Sequence, residues 1–234
     1  MIKAFYNAST GTIWSQKGLD VTANNIANIS TDGYKAQNTS FADLMYTNMR
    51  GAQEQNLKSG HGSKLNKTDT LFEQGSLKQT GRNLDFALNK DGFFAIQTAE
   101  SVKYTRNGSF SLSEQADGSF ALAAFPGGRV LDANGQPITV TDANANEDLN
   151  IGVYVFPNKD GLQREGNTLF TAGAFSGEAI VDSDAELLQG YLEASSVDLA
   201  EEMATMITDQ RSFGMNVKMV QMADEIMDTL NRLR

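Results

Sequence analysis

From Asp198 to the C-terminus, apolar residues recur at three- and four-residue steps with no proline, and no other feature constrains the fold as much. Met203, Met206, Ile207, Phe213, Val217, Val220, Ala223, Ile226, Met227, Leu230 and Leu233 mark the repeat. Ser195 or Ser196 is placed to cap the helix, Asp198 suits the positive end of its dipole, and Arg232 and Arg234 suit the negative end. A periodic segment this long exceeds the roughly 8–20 residues of an ordinary globular helix and predicts a coiled coil or helical layer. Gln210 interrupts the seam, and the step from Val220 through Ala223 to Ile226 departs from a strict heptad. Methionine dominates the repeat, and its flexible thioether adapts to irregular neighbours.

The other end of the chain reads as a weaker helix. Ile2, Phe5, Tyr6, Ile13, Leu19, Ala23, Ile26 and Ile29 fall at roughly helical intervals, and Asp32-Gly33 signals a turn that stops them. Gly11 and Gly18 weaken this helix by about 1 kcal/mol each relative to alanine. Its apolar stripe is thin, and Asn24, Asn25 and Asn28 crowd its last turns. Such a helix is marginal alone in water, so both termini are expected to be mobile or loosely paired when the chain is alone and to order when other helices surround them.

Between the ends the texture changes to short apolar runs punctuated by glycine. Asp91-Gly92, Asn107-Gly108, Asp117-Gly118, Asn134-Gly135 and Asp160-Gly161 separate runs such as "FFAIQT" and "IGVYVF", a hairpin-rich pattern that predicts about eight to ten short strands. The stretch from Gly51 to Lys67 has almost no apolar content and reads as linker. The fold class is therefore α+β: an all-β middle domain inserted between long terminal helices that pair with each other as a coiled-coil-like layer.

Chemistry finds little material. The net charge of −10 argues against nucleic acid, which needs a basic face. Ten Asp or Glu against Lys159 and Arg164 lie between Thr141 and Glu193, which reads as a solubilising surface. No apolar run approaches the roughly 20 residues that span a bilayer, so no membrane insertion is expected, and the N-terminus lacks the apolar core of a secretory signal. Cysteine is absent, and the single histidine, His61, sits between glycines in the polar stretch, so thiolate or histidine metal sites and Ser-His-Asp catalysis lack components. "DANANED", Asp142 to Asp148, opens like a calcium loop but carries Glu147 where that loop needs glycine and Val153 where it needs glutamate. No catalytic, metal or cofactor site is expected. The competing class, a monomeric enzyme or carbohydrate-binding β domain, would use the acidic region and would show grouped exposed aromatics beside a cleft.

Three stretches carry a family resemblance. "LDVTANNIANISTDGYKAQNTSF", then "LFEQGSLKQTGRNLDFALNKDGFFAIQT" running into "YTRNGSFSLSEQADG" and "GRVLDANGQPI", then the segment from "QGYLEASSVDL" to the end stand in one order over more than half the chain. They resemble the bacterial flagellar axial proteins, the rod and hook group of the basal body. Ser196 stands where that family usually has Asn, and Gly214 where Glu is common.

The resemblance implies a helical tube around an export channel. Residues 1–35 and 193–234 would form its inner helical layer, 36–67 an extended linker and 68–192 the outer β-rich domain. Subunit contacts would fall on Leu19, Asn24, Asn25, Ile26 and Asn28, and on Met203, Met206, Ile207, Phe213, Val217, Val220, Ile226 and Leu230. Partners would be other copies, neighbouring rod and hook subunits and the flagellar type III export apparatus, which reads no cleaved signal. The middle domain has room for one β domain where hook proteins usually carry two, so a rod protein is the implied member and a hook protein the alternative.

Overall fold

The computed structural model describes residues 2–50, 56–115, 118–140 and 149–233, and the calcium-like "DANANED" stretch lies outside them. The chain divides into two compact units.

The first unit holds both terminal helices and the segment 37–70. Helix α1 runs Ile2–Ala27 and α2 runs Leu199–Arg232. Asp198, not Ser195 or Ser196, caps α2: its carboxylate accepts from the Ala200 and Glu201 amides at 2.8 and 3.4 Å. The two serines are used before the cap, Ser195 accepting from the Val197 amide and Ser196 from that of Ala36. Strands β1 (Gln37–Asp43) and β4 (Ser63–Thr70) pair antiparallel, as do β2 (Thr47–Arg50) and β3 (Asn56–Ser59). The expected linker is thus strand from Asn56 onward wherever it is described, apart from the turn at Gly60–Gly62. Backbone pairing across a ladder needs no apolar side chains, which is why a polar composition concealed it.

The second unit comprises residues 28–36 and 71–197. Its strands are β5 (Leu77–Gln79), β6 (Phe86–Leu88), β7 (Phe93–Gln97), β8 (Val102–Thr105), β9 (Phe110–Glu114), β10 (Phe120–Ala124) and β11 (Gly128–Val130). After these come β12 (Thr139–Val140), β13 (Val153–Val155), β14 (Leu162–Gly166), β15 (Leu169–Ala172), β16 (Ile180–Val181), β17 (Leu187–Gln189) and β18 (Tyr191–Glu193). Among the described residues this is more than the expected eight to ten. The surplus are strands of two or three residues, too short to show alternation. The main sheet runs β12-β10-β11-β7-β8-β15-β14 and is antiparallel in every pair, while β17 pairs β6 and β18 pairs β5.

Strand β7 explains its unbroken apolar run. Successive side chains point to opposite faces, so Phe94 and Ile96 join one cluster with Phe110, Leu122 and Val130, whereas Phe93 and Ala95 join Tyr104, Phe156 and Phe170 on the other. A strand covered on both faces has no polar side to alternate with. Phe93 is the hub of the second cluster, with ring centroids 5.7–6.0 Å from Phe72, Phe156 and Phe170. Burying each such side chain contributes about 1.5–3 kcal/mol.

Candidate functional site

Helices α1 and α2 pair antiparallel through a seam that the apolar pattern does not announce. Along α1 the covered positions are Ala8, Gly11, Ser15, Gly18, Thr22 and Asn25, at alternating three- and four-residue steps. Along α2 they are Glu202, Met206, Asp209, Phe213, Asn216, Val220 and Ala223, at the same steps. Contacts fix the register. Asn25 Nδ2 donates to Glu202 Oε1 at 2.7 Å, a Cβ on Gly18 would lie 3.0 Å from Asp209 Oδ2, and one on Gly11 2.9 Å from Asn216 Nδ2. Each contact lies seven residues further along one helix and seven residues back along the other. Small residues on α1 therefore leave room for α2, and polar and apolar side chains alternate on α2 from Glu202 to Val220. The two glycines that weaken α1 as a helix are positions where an added side chain would press on side chains of α2.

This seam charges a cost in solvation. Burial raises the Glu202 and Asp209 carboxyls above their ordinary range; for Glu202 the Asn25 hydrogen bond opposes the shift and Glu201 adds to it. A folded-state pKa above the unfolded value means that the pair favours the protonated acids. Its stability is greatest below the unfolded values, 3.8 for Asp209 and 4.5 for Glu202, and falls as pH rises through the raised ones. Asp209→Asn is accordingly expected to raise the helix-pair melting temperature at pH 7 and to lose that advantage at pH 4. A difference between variant and wild type that does not change with pH in circular-dichroism melts would refute this assignment.

The seam runs out before α2 does. At this register Ile2 lies level with Glu225, so Ile226–Leu233 extend past the first turn of α1 by about 12 Å at 1.5 Å per residue. Met227 and Leu230 continue the heptad steps of Val220 and Ala223 with no α1 residue opposite them. A second strip, Met215, Met219, Met222 and Ile226, runs beside the seam and is about half exposed.

In the second unit, the three signature stretches meet at one buried ion cluster. Lys35 lies in the first, Arg106 in the second and Glu193 near the start of the third; each is at most 2% exposed. Lys35 Nζ lies 2.6 Å from Glu193 Oε1 and also donates to the Glu73 carbonyl. Glu193 Oε1 accepts from the Gly75 amide at 2.9 Å, and its Oε2 faces Arg106 Nε at 3.4 Å. Arg106 donates onward to the Lys90 carbonyl, and its other nitrogen lies 4.0 Å from Asp91, which Lys159 holds at 2.6 Å. Burial pushes the pKa of Lys35 down, and Glu193 opposes it by charge and hydrogen bond; burial lowers that of Arg106 likewise.

Backbone geometry brings these stretches together. Gly33 has φ +70, in the left-handed region, and a Cβ there would lie 2.5 Å from the Asn107 amide. The Gly33 amide donates to the Glu193 carbonyl at 2.7 Å and the Ser196 amide to the Tyr34 carbonyl at 3.1 Å. Arg164 stacks over the Tyr34 ring at 4.3 Å and donates to the Lys35 carbonyl. The aromatic and the lysine of the Gly-aromatic-Lys stretch are each held by a cation or an anion from elsewhere in the sequence.

The residues expected at subunit contacts fare differently. Asn25 is 1% exposed, and its amide is satisfied within the chain, by Glu202 and by both backbone groups of Gln37 at 2.8 and 3.0 Å. Asn28 is half-buried and accepts from the Thr31 hydroxyl, while Asn24 is exposed. Leu19, Ile26, Met206, Phe213, Val217 and Val220 are half-buried, whereas Met203, Ile207, Ile226 and Leu230 are exposed. No periodicity marks Lys35, Arg106 and Glu193 as partners in the sequence, although charged residues inside otherwise apolar or turn-forming signatures are a usable signal.

Chemistry for an enzyme is sparse. Among the described residues no three of His, Cys, Asp and Glu gather as a metal site, and His61 pairs with the Thr47 hydroxyl in an exposed position. A cleft of about 420 Å³ in the second unit is lined by Ser113, Glu114, Gln115 and Arg129 with small residues, and no aromatic platform for a sugar ring. No described helix is long and apolar enough to cross a membrane.

Comparison with known proteins agrees with these landmarks. A model of the flagella basal body rod protein family matches residues 5–35, and one of the flagellar basal body rod FlgEFG protein C-terminal region matches residues 188–233. The flagellar basal-body rod protein FlgG of Bacillus subtilis is 32% identical over the whole of both chains. That of Borreliella burgdorferi is 33% identical, over 100% of this chain and 99% of its own. The flagellar hook-basal body complex protein FlhP of Bacillus subtilis is 29% identical over the whole of both. The first match ends at Lys35 and the second contains Glu193, the two ends of the buried ion pair. The chain belongs to the family of flagellar basal-body rod proteins.

Proposed function

We propose that this chain is a structural, non-enzymatic subunit of the flagellar rod, whose copies polymerise helically into the hollow shaft that transmits torque. The terminal helices form its inner layer, and the subunit reaches the basal body through the flagellar export apparatus and abuts neighbouring rod and hook subunits. The observation that carries this reading is the unmatched length of α2. Met227 and Leu230 continue a heptad seam past the end of α1, its partner helix among the described residues, and Ile226 stands exposed beside them, with Met203 and Ile207 exposed near the other end of α2. An apolar seam that outruns its partner needs a helix from another copy.

Electron microscopy of purified chain at rising concentration tests the reading, with tubes or filaments as the expected result. Leu230→Asp is expected to leave α1 paired with α2 yet abolish assembly, because it lies beyond the intrachain seam. Val220→Asp acts differently: opposite Ala8 it buries a charge within the chain and loosens the pair itself. Tubes formed by the Leu230 variant at the wild-type threshold would overturn the reading.

A further inference from the structure

The chain has no cysteine, so its oxidisable sulfur is all methionine, and that sulfur is unevenly placed. Met203, Met215, Met219, Met222 and Met227 stand on α2 between 41% and 62% exposed. Met206 is on the same helix, but it faces α1 in the seam and is half-buried. A peroxide therefore meets five thioethers along the surface that the proposed assembly needs to be apolar, and one that is shielded.

We propose that the outer face of α2 is a reversible oxidation site that controls whether the subunit can assemble. The step is a two-electron oxygen transfer. The peroxide O–O bond breaks as the methionine sulfur forms an S=O bond, the thioether becomes a sulfoxide and the peroxide leaves as water or an alcohol. Reduction by a thiol-dependent sulfoxide reductase returns the thioether while two thiols become a disulfide, with water released. Each sulfoxide places a strong dipole where a neighbouring helix must pack, and such a group loses its hydration unless the neighbour supplies a donor. Met215, Met219 and Met222 convert the strip beside the seam into a polar one, Met227 does the same for the overhanging end of the seam, and Met203 for the flank near the start of α2. Once a copy covers the strip, peroxide no longer reaches the sulfurs, so assembled subunits are protected and free ones are not. The inference rests on the reading of α2 as an assembly surface.

Hydrogen peroxide applied to the dilute full-length chain, with site-resolved mass spectrometry, reads the surface directly. Met203, Met215, Met219, Met222 and Met227 are expected to oxidise together with Met45, an 87% exposed residue off the helix that serves as an internal reference, and Met206 to lag several-fold. The oxidised chain is expected to lose tube formation and to regain it after reductase treatment. A chain with those five methionines replaced by leucine should assemble with or without peroxide. Equal assembly before and after oxidation, or peroxide sensitivity retained by the five-leucine chain, overturns the proposal alone. Oxidation of Met206 as fast as the five overturns the shielding on which it depends. An untreated chain that forms no tubes at any concentration removes the assembly reading and the proposal with it.

Discussion

Replacing Glu193 by alanine is expected to lower the melting temperature of the β-rich unit by on the order of 10 °C, one of the two largest effects in the molecule. Its carboxylate is the anion for two buried cations, Lys35 and Arg106, and the acceptor for the Gly75 amide. Removing one partner of a buried ion pair costs about 3–5 kcal/mol, because the desolvated charge opposite stays behind. At roughly 2–4 °C per kcal/mol for a chain of this size, that gives the stated shift. Lys35→Met is the informative contrast. It keeps Glu193 paired with Arg106 and fills much of the lysine stem's volume, so its loss should be clearly smaller. Near-ultraviolet circular-dichroism melts decide between the two, and a Glu193→Ala loss no larger than that of Lys35→Met would mean that the cluster is not organised around the carboxylate.

The position of that cluster explains why local changes there have wide effects. Residues 28–36 follow α1 in the chain and residues 193–197 precede α2, and both are fixed to the β-rich unit through Lys35 and Glu193. Hydrogen bonds from the Gly33 and Ser196 amides join these two segments directly to each other. The chain passes between its two units along these connecting segments. A buried charge pair holds such a crossing in one geometry, since slippage would leave an uncompensated charge in an apolar setting.

How much of this was legible in the sequence depends on which physical signal each part leaves. The long C-terminal helix, the turn at Asp32-Gly33 and the strand-rich middle follow from apolar spacing and glycine chemistry, which are local. The strands β3 and β4 were not legible, because a polar ladder is stabilised by backbone pairing that composition does not record. Asn25 stands out in the sequence as an amide inside a helix, but its hydrogen bonds to Gln37 and Glu202 of its own chain leave no mark in the spacing. The ion cluster joins positions 35, 106 and 193, and no periodicity connects residues so far apart. The helix seam was hidden for a different reason. A search for apolar stripes passes over one built from Ala8, Gly11, Ser15, Gly18 and Thr22, and it counts the two glycines against the helix that depends on them.

Gly18 therefore provides the sharpest test of the helix pair, through two substitutions with opposite outcomes. A Cβ at this position would sit 3.0 Å from Asp209 Oδ2 and 3.8 Å from the Phe41 ring. The carboxylate is the end of a rotatable side chain, so Gly18→Ala needs only a small shift of Asp209. Alanine also gains about 1 kcal/mol of helix propensity over glycine in a helix interior. The alanine variant is expected to be neutral or slightly more stable. Gly18→Leu adds three further carbons where α2 and β1 already close the space. Overpacking of this kind costs about 1–3 kcal/mol when a core can adjust. Here the adjustment is separation of the helices, which also breaks the close approach at Gly11 and strains the Asn25–Glu202 hydrogen bond, each one heptad step away. With no described α2 residue fully buried, little else holds the pair. Hydrogen exchange on the dilute chain should then show protection across residues 3–27 and 202–223 in wild type and Gly18→Ala, and its loss in Gly18→Leu, while the β-rich unit keeps its protection in all three. Equal protection in the leucine variant would show that the helices do not meet at this register. Absence of protection in wild type would show that the pair forms only when neighbouring copies surround it.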